Sequence, residues 1–324
     1  MRRCDGMVPR RTVAHAGWLC IAALAFVSVA PAQQRVRIAF ANFNDEASFG
    51  TLVLRSMRAA AKERPDLDVT FYDNKSDVTR AVENARLVVT TKPRAFIEYS
   101  SVSSAANPQI ARIVTEAGVP TVSVQSRVPH TPLFAVDNEL AGYSAGKEVA
   151  TAAKRRWPVG TPAVFLISLP EGGPVFLDRA NAARRGILEI FPGATISEES
   201  SKDDPNTARA ITTSFLTRNP GKKVVIFSHV DSMGIAALTA ARNSGREADV
   251  LISSTGGESI VFPEIRKLNA AYVGTFAFFP DKWGAELLEL AAKLARGERI
   301  PDITRPTRQL FVDAGNIDQY YPRP

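Results

Sequence analysis

Cysteine is nearly absent from this sequence. Of its 324 residues only Cys4 and Cys20 carry a thiol, and both fall in an N-terminal segment that reads as an export signal. Four arginines (Arg2, Arg3, Arg10, Arg11) precede an apolar run over 18–30. That run is too short to span a bilayer and ends in Ala30-Pro31-Ala32, a small-x-small cleavage pattern. Residues 1–32 are therefore set aside as a signal peptide, and the mature chain is expected to start near Gln33. Leu19 precedes Cys20 where a lipid-attachment site has a small residue, and Arg10-Arg11 lacks the rest of a twin-arginine signal, so ordinary export is expected. Beyond that segment no cysteine remains, which excludes disulfides, thiolate metal sites and a cysteine nucleophile.

Histidine is scarce as well, with His15 in the signal and only His130 and His229 after it. No Gly-x-Ser-x-Gly elbow occurs, and Ser228 and His229, the one adjacent pair, would point to opposite faces of a strand. Neither a Gly-x-x-x-x-Gly-Lys phosphate loop nor a Gly-x-Gly-x-x-Gly turn is present, so "EGGPVF" and "STGGES" read as cleft turns. Catalysis is not expected. Charge of one sign is missing too: removing the signal's four arginines and Asp5 from the formal +7 leaves +4, and the remaining charges are interspersed. Nucleic acid is not an expected partner, and Lys154-Arg155-Arg156 reads as the cationic end of a helix.

What the sequence does contain is enough apolar surface, 45% of residues, for a sizeable core and two domains. Runs rich in Val, Ile and Phe predict strands near 36–42, 68–72, 95–100 and 121–125, separated by helices near 48–63, 77–90 and 105–117. An extended piece at 133–136 runs into a helix at 139–156. A second series predicts strands near 163–168, 194–198, 223–228, 250–254 and 271–275, with helices near 175–191, 205–217, 231–241 and 282–295. Continuous apolar strands joined by helix-length connections imply parallel sheets covered on both faces. Two such series imply two doubly wound α/β domains.

Three segments carry a family resemblance: "FAVDNELAGYSAGKEVA" at 134–150, "SHVDSMGIAAL" at 228–238 and "FPDKWGAELLELAAKLARGERIP" at 279–301. With the export signal and the tandem domains, the chain resembles the ribose-type (type I) periplasmic sugar-binding proteins of ABC transporters. The resemblance implies two doubly wound parallel-sheet domains joined by a three-crossing hinge, with crossings near Asp137, 278–280 and 310–312. The implied domains are 33–136 plus 280–309 and 137–279 plus 310–324. It also implies a periplasmic monomer that closes on a carbohydrate or related polyol and delivers it to a membrane ABC permease, with no cofactor and no metal. A sensor presenting its ligand to a membrane kinase or chemoreceptor shares every one of these features. A DNA-binding regulator of the same effector fold would need a helix-turn-helix where the signal stands.

In such a fold the ligand lies beyond the carboxyl ends of the strands, so residues just after strands become candidates. The loop after the first strand offers Asn44, Asp45 and Glu46 as polar contacts and Phe49 as an apolar plate. Relatives usually have Asn-Pro-aromatic-aromatic there, and here Ala47-Ser48-Phe49-Gly50 stands instead. After the fourth strand the family's Asp-Arg becomes Gln125-Ser126-Arg127, leaving Gln125 and a shifted Arg127 as candidates. Ala183 replaces the arginine usual three residues before Gly186, with Asp178 or Arg179 as substitutes one turn earlier. The family's Asn-Asp becomes Val230-Asp231, where Asp231 reads as a helix cap and His229 as the more exposed contact. Thr255 lies in the "STGG" run that replaces an expected Asp, and Phe278 replaces an expected Gln. A pocket built so has less charge and more aromatic surface than a simple ribose site.

Overall fold

The computed structural model describes residues 1, 6, 35–100 and 104–323. The rest of the segment expected to be an export signal, with its expected cleavage point, lies outside the described residues. The first series of elements is β1 (Val36–Asn42), α1 (Ser48–Lys62), β2 (Leu67–Asp73), α2 (Val78–Thr90), β3 (Ala95–Glu98), α3 (Asn107–Glu116), β4 (Thr121–Val124) and β5 (Leu133–Phe134). It continues as α4 (Asn138–Arg156), β6 (Ala163–Ser168), α5 (Pro174–Ile190), β7 (Ile196–Ser200), α6 (Pro205–Arg218) and β8 (Val224–Ser228). After α7 (Asp231–Asn243) come β9 (Val250–Gly256), α8 (Phe262–Ile265), β10 (Tyr272–Ala277), α9 (Trp283–Ala295), β11 (Ile303–Thr304), β12 (Leu310–Asp313) and α10 (Ile317–Tyr320).

Two six-stranded sheets result, β11-β5-β4-β3-β1-β2 and β12-β10-β9-β8-β6-β7, with the same strand order in each. β3, β4, β8 and β9 are buried along their whole length, as strands covered on both faces require. Both sheets belong to one compact unit, 35–324. Among the described residues every strand pairing is parallel except β10 with β12, which is antiparallel. The two doubly wound, mainly parallel sheets are those expected, and β12 joins the second as an antiparallel edge strand. β11 runs parallel to β5 and ends at the carboxyl edge of the first sheet, so the chain enters the second sheet at the same edge and can only run backwards.

Local chemistry sets the element ends. Asp77, Asp137 and Asp204 cap α2, α4 and α6 by accepting N–H bonds from the first turn, and Pro174 and Pro205 open α5 and α6 where a missing N–H costs nothing. α3 begins at Asn107, after a short 3-10 turn over Ser104–Ala106, rather than at 105. Far from its neighbours in sequence, α9 returns to the first sheet and packs on α1, where a side chain at Gly284 would lie 2.2 Å from the Ser56 carbonyl oxygen. Among the described residues no helix is long and apolar enough to cross a membrane.

Glu98 ends β3 fully buried, accepting from Asn74 Nδ2 at 3.0 Å, while its Oε2 has no partner. Burial holds its pKa well above the usual carboxylate value, against the smaller pull of Asn74. A raised carboxyl pKa means the folded chain keeps a proton that the unfolded chain releases, so stability is full below the unfolded value and erodes as pH rises above it. Glu98→Gln is therefore expected to match the wild type near pH 4 and to exceed it at pH 8 by about 1 kcal/mol or more. Urea unfolding of both chains at the two pH values checks this, and equal stabilities at pH 8 would refute it.

Candidate ligand-binding cleft

A cavity of about 300 Å³ opens between the carboxyl edges of the two sheets. From the first sheet, the β1–α1 loop contributes Phe43, Ala47, Ser48 and Phe49, the end of β3 contributes Tyr99 and Ser100, and the end of β4 contributes Gln125 and Ser126. Facing them are Pro174, Val175, Phe176 and Arg179 after β6, Asp203 after β7, Val230, Ser232 and Met233 after β8, Glu258 after β9, and Phe278 after β10. Each wall is thus made by strand ends, where the parallel topology leaves a crevice.

Aromatic rings form much of the lining. Phe43 leans on Tyr99 at 4.8 Å between ring centroids, and Phe49 packs edge-on against Trp283 at 5.3 Å and Phe278 at 6.2 Å. The Trp283 indole N–H donates to the Phe278 carbonyl at 2.9 Å, which fixes that cluster's orientation. Arg179, 5% exposed, lies between the rings of Phe176 and Phe278, with its guanidinium carbon 5.0 and 4.9 Å from their centroids. Its Nε donates to Asn138 Oδ1 at 2.7 Å, and its Nη1 donates to the His229 carbonyl at 3.2 Å and to Thr255 Oγ1 at 3.4 Å. Burial brings its pKa down to about 10, opposed by Tyr99 and Asp231. At neutral pH it remains a cation. Gln125 adopts a left-handed backbone, φ +62°, and its Oε1 is buried without a partner. Such strain in a non-glycine residue clusters at ligand clamps.

A family profile described as "Periplasmic binding protein domain" matches residues 38–299. The chain belongs to the periplasmic binding protein family. A comparison with curated proteins returned no match. Solved structures of similar fold include an ABC transporter solute binding protein from Mycobacterium smegmatis with bound glycerol, at TM-score 0.80 and 21% identity over 90% of this chain and 98% of that one. Another, from Actinobacillus succinogenes with bound D-allose, has TM-score 0.78 and 22% identity over 88% of this chain and 100% of that one. A third, from Bacillus halodurans with bound myo-inositol, has TM-score 0.78 and 16% identity over 90% and 99%.

Of the site residues expected for this periplasmic binding protein, Phe49, Gln125, Arg179 and Phe278 line the cavity. The others have different occupations. Asn44 Oδ1 accepts from the N–H groups of Glu46 and Ala47, and its Nδ2 donates to Ser76, so it holds the β1–α1 loop. Asp45 accepts from Asn42 at 2.8 Å, and Glu46 is exposed off the cavity. Arg127 is taken by a fork onto the Asp302 carboxylate at 2.7 and 3.0 Å and by the Thr131 carbonyl at 2.7 Å, a partner set that turns it out of the cleft. Asp178 is exposed, because its neighbour Arg179 holds the inward position on α5. Thr255 stands behind the wall, donating to the His229 carbonyl at 2.7 Å.

Two expectations about the β8–α7 turn are corrected. His229 is fully buried rather than exposed: its backbone N–H extends the β6 pairing to Ile167, its Nδ1 lies 3.2 Å from the same carbonyl, and Phe176 packs on its ring. Asp231 does not cap α7 through its side chain. Its carboxylate instead accepts from the hydroxyls of Ser254 and Thr275 and from the Glu258 N–H, tying together the ends of β8, β9 and β10. Burial raises its pKa, and those donors pull it back.

Phe43, Tyr99, Phe176, Asp203 and Glu258 line the cavity without having been expected there. A signal existed for Phe43 and Tyr99, which directly follow β1 and β3, whereas Phe176 lies in the first turn of α5. Glu258 is 3% exposed, and its buried Oε2 has no hydrogen-bond partner. Burial first and the Asp231 charge second push its pKa up to about 7. Among the described residues, no three His, Cys, Asp or Glu side chains are grouped to hold a metal ion.

Proposed function

We propose that this protein is a periplasmic receptor that closes on one small polyhydroxylated solute, a sugar or related polyol, and delivers it as a monomer to a membrane ABC permease. The observation carrying this reading is the cavity itself: stacking rings and a few polar groups, supplied by the strand ends of two repeated sheets. Aromatic faces suit the C–H face of a sugar, while Gln125, Arg179, Glu258 and the lining serines suit its hydroxyls. The three passages of the chain between the sheets, at 135–137, 278–282 and 305–309, form a hinge, with lobes of roughly 33–136 plus 280–309 and 137–279 plus 310–324. Ligand contacts made to both lobes exist only in the closed state and shift the population toward it. Similar folds with bound glycerol, D-allose and myo-inositol support the choice of ligand class.

Thermal unfolding against pentoses, hexoses and polyols tests the reading. A ligand at a hundredfold excess over its Kd adds about 2.7 kcal/mol of stability, and a flat response to the whole panel would sink the proposal. With the best panel member, Phe49→Ala is expected to weaken binding by about 1 to 3 kcal/mol through the lost plate. Arg127→Ala, whose side chain is paired to Asp302, should change affinity less than about twofold. Titration calorimetry on the three chains decides, and the reverse pattern would place the ligand elsewhere.

A further inference from the structure

Within the cavity, polar needs are unequal. Two buried oxygens, Gln125 Oε1 from one sheet and Glu258 Oε2 from the other, have no donor. A ligand that donates hydrogen bonds to both walls would satisfy these two oxygens. The charged side chains on the described wall are Arg179, Asp203 and Glu258, so carboxyls outnumber the cation. Arg179 moreover has Asp231 near it as a compensating charge. Phe43, Phe49 and Tyr99 add aromatic rings to the lining, and a ring's quadrupole attracts positive charge over its face.

Taking the cleft as a receptor site for polyhydroxylated solutes, on which this step rests, we infer that its preferred ligand carries a protonated amine: an amino sugar or amino polyol whose ammonium pairs with Glu258. The ammonium donates to Glu258 Oε2, a ligand hydroxyl donates to Gln125 Oε1, and a ligand oxygen accepts from the Arg179 guanidinium. Asp203, at the rim, adds attraction without being buried. A neutral sugar leaves the Glu258 carboxyl without a counter-charge, and an acidic sugar meets it with repulsion.

The groups acting on Glu258 are Asp231, Asp203 and the Ser48 hydroxyl, while Tyr99 and Tyr272 feel its charge and Arg179 shares the wall. Burial first and the Asp231 charge second push its carboxyl pKa up to about 7. The ionised form is the one that pairs with an ammonium, so preference for an amine grows as pH rises through that value.

Two matched sets test the inference by titration calorimetry on the mature chain: glucosamine, glucose and glucuronate, and 1-amino-1-deoxyglucitol, glucitol and gluconate. The amine of one set is expected to bind about tenfold or more tighter than its neutral member. In Glu258→Gln, which keeps the side chain's shape, that margin should fall to about twofold or less. For 1-amino-1-deoxyglucitol, an alkyl amine that stays protonated across the range, the margin should be larger at pH 8 than at pH 6. A neutral or acidic member binding as tightly as its amine overturns the inference and leaves the receptor reading standing. An amine preference that survives Glu258→Gln also overturns it. Failure of all six compounds and of the wider sugar panel would overturn both. The wild-type comparison needs no variant, and a melting curve of Glu258→Gln confirms that its cleft is folded.

Discussion

Arg179→Gln is expected to weaken binding of the best panel ligand by about 2 to 5 kcal/mol, a loss of thirtyfold or far more. The guanidinium is held by Asn138, the His229 carbonyl and Thr255 and is clamped between two phenylalanine rings, so its direction is set before a ligand arrives. Pre-positioned donors lose little entropy on binding, which makes each bond count more fully. Glutamine is shorter and cannot span the same partners. Stability should respond less, because losing the bonds to Asn138 and His229 costs about 1 to 3 kcal/mol while removing a buried cation offsets part of that. Calorimetry and a melting curve on one preparation separate the two effects. Unchanged affinity would show that Arg179 serves the wall and not the ligand.

Gly146→Val should produce the largest loss of stability, about 3 kcal/mol or more, with a fall of about 6 to 12 °C in melting temperature. α4 and α5 touch backbone to backbone. A Cβ at Gly146 would lie 2.3 Å from the Ala183 carbonyl oxygen, one at Gly142 would lie 2.1 Å from the Arg179 carbonyl oxygen, and one at Gly186 would lie 2.3 Å from the Tyr143 carbonyl oxygen. No side-chain rotation relieves a clash with a main chain, so the helices must separate. Since α5 also carries Arg179, any surviving folded fraction should bind ligand more weakly. Urea unfolding of Gly146→Val and wild type measures the effect, and a cost below about 1 kcal/mol would mean that the two helices have room to part.

The elements themselves were legible. Strands β1 and β6 begin and end where their apolar runs do, and α2, α4 and α6 start at aspartates that cap them. Burial on both faces writes a strand as an uninterrupted apolar run, and capping writes a helix start as a short acceptor side chain; both are local. The small residues of "AGYSAGKEVA" also stand in the sequence, although their reason, the approach of α5, does not.

The cleft was legible by position and less so by residue. Knowing that ligands sit beyond strand ends pointed to loops that border the cavity, and Phe49, Gln125, Arg179 and Phe278 line it. Within a loop, however, neighbouring side chains diverge, and long-range partners choose among them. Arg127 is claimed by Asp302, 175 residues away, and Asp231 by hydroxyls from β9 and β10. Composition and periodicity by themselves determined the two βα series and the elements, because these depend on each residue's own preference for water or backbone. Only the tertiary structure decided that Glu258 faces the cavity, that His229 does not, and that β12 runs backwards. Those outcomes follow from which distant groups compete for each polar atom and from which edge of a sheet the chain arrives at, neither of which is written in any local stretch.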